Sequence, residues 1–298
     1  MGSRSGIATI FKHCFQDAAG SCACASNLRQ IVAAIQTYGN EQGEFPRTTY
    51  NDAVGGVPYG EQLMKAFTAS EGDDPFGGTR PPAPTFSANG NSNSPANNDV
   101  TAALFLLVRT QKIPTSLFIC PSSDDEPDDL KTELPTKRSN FQKRSNLSYS
   151  VTLPYPLVYV DSGGTKSQLG YYYGLDMSKN LPIVADLNPG TSGTPKVYEL
   201  VVNSPSSDMR GGNSRNHGRK GQNVAFFDGR VEFFDTPFAG VDRDNIYTRT
   251  TTNPAPADRA SDTSAPPDSA FGSLPPRHVS DSVMLPTETS MGSSAFLP

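Results

Sequence analysis

The sequence predicts an α+β fold in which a long N-terminal helix packs on an antiparallel β-sheet, with many loops. Helical spacing of apolar residues dominates the first part of the chain, beginning with a helix over residues 7–38. Short strand-like segments follow later, over residues 147–234. Helices first and strands afterwards are typical of α+β proteins with one antiparallel sheet.

The composition predicts a loop-rich body with a modest core. The chain has 298 residues, of which 35% are hydrophobic, with 26 glycines, 26 prolines and no tryptophan. A net charge of −5 argues against general nucleic-acid binding. No apolar run approaches the roughly 18 residues of a membrane span, so the chain as written is expected to be soluble. We assign residues 1–250 to one domain and 251–298, rich in Ala, Pro, Ser, Thr and Asp, to an extended or disordered tail.

The first helix is predicted from apolar residues at steps of three, four or seven, running from Ile7 to Ile35. Gly20 and Ser21 weaken its middle, so the segment allows either one helix or two. Gly43 is expected to stop it.

Further elements are predicted from short apolar runs between turn signals. Two more helices are expected at residues 61–69 and 100–108, and a short buried strand at 117–120. The strands of the sheet are expected at 147–153, 157–160, 169–173, 181–185 and 197–202, ahead of a hairpin at 222–234.

The hairpin is predicted from Asp228-Gly229, which lies between two alternating apolar runs. Asp-Gly suits a two-residue type I′ turn, in which both central residues need positive φ. This turn would pair Phe226 with Val231 and Val224 with Phe233. These four side chains would then share one apolar face of the hairpin.

Several polar residues are candidates for a site. Asp186–Gly190, Asn213, Asn216 and His217 could converge as a hydrolytic metal centre, but the chain has only three histidines, and Asx-turn roles are the preferred interpretation. His217 lies in a basic loop, where it could be a ligand, an anion contact, an assembly contact or a histidine bonded to nearby backbone. Asp228 could bind a metal, although the turn accounts for it.

The four cysteines leave two alternatives open. His13-Cys14 with Cys22 and Cys24 is a conceivable zinc site, although C-x-C lacks the usual two-residue spacing. A cytoplasmic location would instead leave all four as free thiols.

Separated segments along the chain resemble one known family. They are Cys24–Ile31 with Gly43–Pro46, Phe118–Ser122, Ser148–Ser150, Ala185–Gly190, Asn213–Phe234, Thr236–Gly240, Asp244–Thr248 and Asp281–Pro286. In this order they resemble the pseudopilin-like, prepilin-type proteins with a C-terminal His…Asp-Gly domain that are abundant in planctomycetes. His217, Asn223, Asp228 and Gly229 stand at the motif positions. Ten residues separate His217 from Asp228 here, where the family has nine.

The resemblance implies a pilin-like fold and a non-enzymatic role in assembly, in a type II secretion or type IV pilus-like system. The implied partners are other pilin or pseudopilin subunits, and the implied location is the periplasm or cell surface. Anchoring in the inner membrane would need an apolar helix ahead of Cys24, but Lys12, His13 and Gln16 interrupt any span. The matching positions of Cys24 and Cys120 imply a disulfide in an oxidising periplasm.

No cofactor is expected, with calcium as the one alternative. Major pseudopilins of type II secretion bind calcium through loop oxygens, and Asp186, Asp242 and Asp244 lie in suitable loops.

Two other functions are weighed against assembly. A periplasmic or surface module could bind glycan or metal through the loops of Asp186, Asn188 and His217. The tyrosines at 149, 155, 159 and 171–173 could stack on sugars, or simply pack in the sheet. The third alternative is metal-dependent hydrolysis.

Overall fold

The computed structural model describes residues 18–43, 45–47, 100–130, 134–138, 140–153, 157–160, 166–169, 177–250, 264–265 and 280–288. The α-helices in these ranges are α1 (Ala18–Gln42), α2 (Val100–Thr110) and α3 (Ser206–Gly212). The strands are β1 (Tyr149–Thr152), β2 (Leu157–Val160), β3 (Lys166–Leu169), β4 (Pro182–Asp186), β5 (Gln222–Phe226), β6 (Val231–Phe234), β7 (Arg249–Thr250), β8 (Ser264–Ala265) and β9 (Met284–Leu285).

The predicted α+β fold is confirmed, with α1 packed on a five-stranded antiparallel sheet. The strand order is β6-β5-β4-β1-β9, and every neighbouring pair is antiparallel. Two further antiparallel pairs, β2 with β3 and β7 with β8, lie outside this sheet.

Helix α1 is continuous through Gly20 and Ser21 from Ala18 onward, so these two residues do not interrupt it within the described part of the chain. Packing of a long apolar face outweighs the roughly 1 kcal/mol that a glycine costs in a helix. The buried face consists of Cys24, Leu28, Ile31, Val32, Ile35 and Tyr38. The helix ends before Gly43, whose φ of +81° is readily adopted only by glycine. The predicted start at residues 7–17 lies outside the described residues.

Both faces of the interior strand β5 are buried. On one face Ala225 packs in the same apolar cluster as α1. On the other, Val224 and Phe226 pack in a second cluster with Ile246 and Tyr247. The sheet is therefore covered on both sides at this strand, which explains why its sequence does not alternate cleanly between apolar and polar residues.

The hairpin after β5 differs from the predicted one by one residue. The amide of Phe226 donates to the Arg230 carbonyl, so the loop holds three residues, Phe227-Asp228-Gly229. Only Gly229 among them has positive φ, +85°, as in a type I turn followed by a left-handed glycine. The type I′ turn and its pairing are therefore wrong.

This shift moves the apolar residues to opposite faces. Val224 is paired with Glu232 and Ala225 with Val231. Val231 and Phe233 consequently lie on the α1 side, while Val224 and Phe226 lie on the other, and the shared apolar face does not form.

Residues 280–288 return to the sheet, although they belong to the segment 251–298 that is predicted to be an extended or disordered tail. Leu285 is paired with Val151 at the sheet edge, and the amide of Met284 donates to the carbonyl of Ile246. Residues 281–286 are fully buried. A buried strand of only two residues is too short to show periodicity in the sequence. This explains why the composition of the segment did not predict that it pairs with the sheet.

Three other short elements differ from prediction. Residues Thr115–Phe118 and Val197–Glu199 form 3₁₀ helices where strands were expected, because a short apolar run fits either structure. Of the strand expected at 169–173, only Leu169 is described, as the last residue of β3 (Lys166–Leu169), and residues 170–173 lie outside the described residues. The helix predicted at 100–108 is confirmed as α2, and that at 61–69 lies outside the described residues.

Among the helices that the structure describes, none has the length and apolar character needed to cross a membrane.

Candidate functional site

A row of four side chains crosses the α1 side of the sheet near one end. Tyr149 of β1 is paired with Asp186 of β4, and Asn223 of β5 is paired with Phe233 of β6. The register of β4 with β5 places Asp186 next to Asn223. The row is therefore Tyr149, Asp186, Asn223 and Phe233, and Asp186 stands at its centre.

Both carboxylate oxygens of Asp186 accept hydrogen bonds from buried groups. The Nδ2 of Asn216 donates to Oδ1 over 2.9 Å. The backbone amide and Nδ2 of Asn223 donate to Oδ2 over 2.6 and 3.2 Å. His217 Nε2 lies 3.0 Å from the same Oδ2. Because Asp186 is fully buried, these donors replace the water that an exposed carboxylate would bind.

A short 3₁₀ helix, Arg215–His217, positions the histidine. The hydroxyl of Ser214 accepts from the amide of Asn216 at its start, and Gly218 ends it in the left-handed region with φ +62°. The His217 ring then lies edge-on to the ring of Phe233, with centroids 5.9 Å apart. Its side chain is only 2% exposed.

A disulfide closes the cluster on the side of α1. It joins Cys24 of α1 to Cys120, with Cα atoms 5.1 Å apart. The Sγ of Cys120 lies 3.9 Å from His217 Nε2. Asn27, one turn along α1, donates from Nδ2 to the carbonyl of Ile119 over 2.9 Å. Cys22 is disulfide-bonded as well, so the zinc site proposed from the cysteine spacing does not describe this state.

Two buried tyrosines contact the cluster. Burial raises the pKa of Tyr149, the charge of Asp186 raises it further, and a hydrogen bond from Asn27 lowers it by less. Burial, followed by the charge of Asp186, also raises the pKa of Tyr247 well above its ordinary value. The Tyr247 hydroxyl donates to the backbone carbonyl of Asp186 over 2.8 Å. Both phenols stay protonated in the folded protein at neutral pH.

The cluster also brings together donor atoms that metals bind. One ligand atom each from Cys24, Cys120, Asp186 and His217 lies within 4.8 Å of the others, and all four residues are buried. The disulfide engages both sulfur atoms, which leaves Asp186 and His217 as ligands. Two buried ligands without an open coordination position do not make a hydrolytic metal centre.

The chain matches one known family over most of its length. The model of the family described as "Protein of unknown function (DUF1559)" matches residues 16–280. The chain belongs to this family. The DUF1559 proteins form part of the pilin-like, prepilin-related group, in agreement with the resemblance read from the sequence. No curated protein and no solved structure matches the chain.

The His…Asp-Gly motif separates into two places in this DUF1559 protein. His217 and Asn223 meet in the cluster, with Nε2 and Nδ2 3.0 Å apart. Asp228 and Gly229 lie beyond the other end of β5, at the hairpin tip, where Asp228 forms an ion pair with Arg230. The two halves of the motif therefore do not form one site.

The remaining predicted metal ligands lie outside the cluster. The Oδ2 of Asp244 accepts from the backbone amide of Ser282 over 2.8 Å and so holds the C-terminal segment. Asp242 occupies a 3₁₀ turn, Val241–Arg243, with φ +54°. Within the described residues, neither aspartate belongs to a group of three or more residues able to hold a metal.

Asn188 also has a structural role. Its Oδ1 accepts from the amide of Gly190, which is the predicted Asx turn. Its Nδ2 donates to the carbonyls of Tyr247 and Met284 over 3.0 and 2.8 Å. Asn213 donates to the carbonyl of Asp235 over 2.8 Å.

Sequence reasoning missed Tyr247, Ser148 and Asn27 as members of the site. Ser148 accepts from Asn216 through its carbonyl, over 2.6 Å. Its hydroxyl donates to Asp125, which binds Arg215 over 2.6 Å. All three lie in segments that carry the family resemblance, but nothing in those segments indicates that they reach the site, because each comes from a distant element. The tyrosines at 155 and 171–173 lie outside the described residues, and so does the side chain of Tyr159.

Proposed function

We propose that this DUF1559 protein is a non-enzymatic, pseudopilin-like subunit of a type II secretion or type IV pilus-like assembly. The observation that carries the proposal is the Asp186 carboxylate, which is fully buried and bonded at both oxygens to Asn216, Asn223 and His217. A carboxylate in this condition has no position for a substrate or a water nucleophile. It supports a structural role, in which the cluster ties the sheet to the loop of residues 213–217.

The position of the disulfide supports the same role. Cys24 and Asn27 attach one end of α1 to residues 119–120, directly over the cluster. A covalent bond and a hydrogen bond resist separation of the helix from the sheet. This suits a subunit that contacts its neighbours through that helix. The disulfide also favours an oxidising location, which supports the periplasm or cell surface.

The alternative function, a module that binds glycan or metal through Asp186, Asn188 and His217, has less support. Asp186 and Asn188 are fully buried and His217 is 6% exposed, so these residues offer no surface to a sugar. Metal-dependent hydrolysis has the least support of the three functions. The general base of such a mechanism must reach a substrate, and these residues are buried. The proposed partners are other pilin or pseudopilin subunits.

Site-specific photo-cross-linking in the native host tests the proposal. A photoreactive residue would replace Ala33, which is exposed on α1, and in a matched control would replace Ser206, exposed at the start of α3. We expect the Ala33 probe to give adducts whose peptides belong to a second copy or to another prepilin-type protein, in greater yield than the Ser206 probe. A protein recovered only as an uncross-linked monomer at both positions would contradict the proposal. Recovery from the cytoplasm with Cys24 and Cys120 as free thiols would also contradict it.

A further inference from the structure

We infer that Cys24, Cys120, Asp186 and His217 form a zinc site when the disulfide is reduced, so that this cluster has two mutually exclusive closed states. The inference does not rest on the proposed function. It starts from four side chains of metal-binding type, brought within 4.8 Å of one another by four separate parts of the chain.

The ligand set suits zinc. Two thiolates, one imidazole and one carboxylate are the ligand types of tetrahedral zinc sites, whereas calcium and magnesium prefer oxygen alone. Bond lengths of about 2.3 Å to sulfur and about 2.0–2.2 Å to nitrogen and oxygen place the ligand atoms of such a site roughly 3.3–3.8 Å apart.

The spacing in the cluster is close to this geometry. Cys120 Sγ and His217 Nε2 are 3.9 Å apart, and His217 Nε2 and Asp186 Oδ2 are 3.0 Å apart. Once the bond between them is broken, the two sulfur atoms must separate by less than about 2 Å to reach tetrahedral spacing. Rotation about the side-chain torsions of Cys24 and Cys120 supplies such a movement without displacing α1.

Outer donors already orient the carboxylate. Asn216 Nδ2 holds Oδ1 of Asp186, and the amide of Asn223 holds Oδ2. Zinc ligands are commonly fixed by hydrogen bonds of this kind. The same donors would stabilise the single negative charge left when zinc is bound by two thiolates, one carboxylate and a neutral imidazole.

The two states exchange through a balanced redox step. A dithiol reductant gives two electrons and two protons to the Cys24–Cys120 bond and becomes a disulfide itself. Zinc then displaces the two thiol protons to solvent and binds Nε2 of His217, with the ring proton on Nδ1. A small-molecule disulfide reverses the step: it takes two electrons from the two thiolates and two protons from solvent and becomes a dithiol, the Cys24–Cys120 bond forms again, and zinc is released because the same two sulfur atoms serve both states.

Metal analysis of the full chain tests the inference. The variant Cys14→Ser/Cys22→Ser removes the other two cysteines, so that any thiolate ligand must come from Cys24 or Cys120. This protein would be reduced with dithiothreitol, freed of reductant without oxygen, given zinc and dialysed. We expect one zinc per chain in the reduced protein and none in the oxidised protein. Cobalt in place of zinc should give the visible bands of a tetrahedral ion and a thiolate-to-cobalt charge-transfer band.

Two variants locate the site. In the same background, Asn223→Ala should weaken zinc binding by roughly 10–100-fold as an outer-sphere change, and His217→Ala should weaken it further as the loss of a ligand. Circular dichroism before metal addition checks that each variant is folded. The cobalt spectrum of the Cys14→Ser/Cys22→Ser protein tests the site even where a further variant does not fold. Equal zinc in reduced and oxidised protein, a cobalt spectrum without the thiolate band, or undiminished zinc binding by folded His217→Ala would each overturn the inference.

Discussion

His217 Nε2 lies 3.0 Å from Oδ2 of Asp186, and the two side chains are 2% and 0% exposed. The contact joins the end of β4 to the 3₁₀ helix that precedes β5. Together with the hydrogen bonds from Asn216 to Asp186 and to the carbonyl of Ser148, it holds the loop of residues 213–217 on the sheet, so its loss should lower the stability of the domain.

We therefore expect His217→Ala to lower the free energy of unfolding by about 2–4 kcal/mol, since a buried carboxylate loses a donor and a cavity is left behind. Urea unfolding measures the change. Asp228→Ala, at the partly exposed hairpin tip, is the matched control and should change stability by less than about 1 kcal/mol. Equal losses of unfolding free energy in the two variants would show that the buried contact contributes no more to stability than the exposed ion pair.

Removing the Cys24–Cys120 disulfide should destabilise the protein more than any single polar contact. The bond closes a loop with a sequence separation of 96, which in the chain-entropy model corresponds to about 4–5 kcal/mol. We expect the double variant Cys24→Ser/Cys120→Ser to lose about 3–5 kcal/mol in urea unfolding, with a chelator present to exclude metal. A double variant as stable as the oxidised wild type would contradict this expectation.

Asn188→Ala should loosen the C-terminal segment. The substitution leaves the buried carbonyls of Tyr247 and Met284 without the Nδ2 donor, at an expected loss of about 2–4 kcal/mol. Hydrogen exchange should become faster at the amide of Met284, which bonds to Ile246. Asn180→Ala removes an exposed asparagine that contacts Arg230 and should leave both readouts nearly unchanged. Unchanged exchange at Met284 in Asn188→Ala would rule out this role.

Alkaline pH should unfold the protein through Tyr149 and Tyr247. Their folded pKa values are raised by burial and by Asp186, while the unfolded values stay near 10. Above pH 10 the unfolded chain therefore binds fewer protons than the folded one, and stability falls as pH rises. The stability is fully present below about pH 10, and each tyrosine lowers it by about 1.4 kcal/mol per pH unit above that.

Tyrosinate absorbance recorded together with unfolding measures this effect. We expect two tyrosines to ionise only as the protein unfolds, and Tyr247→Phe to reduce the slope of stability against pH by about half. Ionisation of all tyrosines before any loss of structure would contradict the prediction.

The parts of the fold with strong local patterns were predictable, and those set by distant contacts were not. The buried stripe of α1 and the runs at β1, β2 and β4 carry periodicity or β-branched residues, which the sequence displays directly. The predicted length of the hairpin loop was wrong by one residue, because Asp-Gly suits both a two-residue loop and the last two positions of a three-residue loop. That single residue decides which face each apolar side chain occupies.

The candidate site was foreseen as residues but not as an arrangement. The convergence of Asp186, at the end of a strand, with His217, in a polar loop, was one hypothesis, yet nothing local decides that they meet or that Asp228 lies elsewhere. Their meeting depends on the register of β4 with β5, which is a tertiary property. The buried donors from Asn216 and Asn223 then decide that the carboxylate is satisfied rather than open.

The position of β9 has a consequence for the order in which the chain can fold. Val151 is paired with Leu285, so the edge of the sheet beside β1 is completed by residues made long after β1 itself. Contacts between such distant segments form slowly, since a long loop must close first. A chain that emerges N-terminus first, from a ribosome or through an export channel, therefore cannot complete its sheet until residues 280–288 have followed.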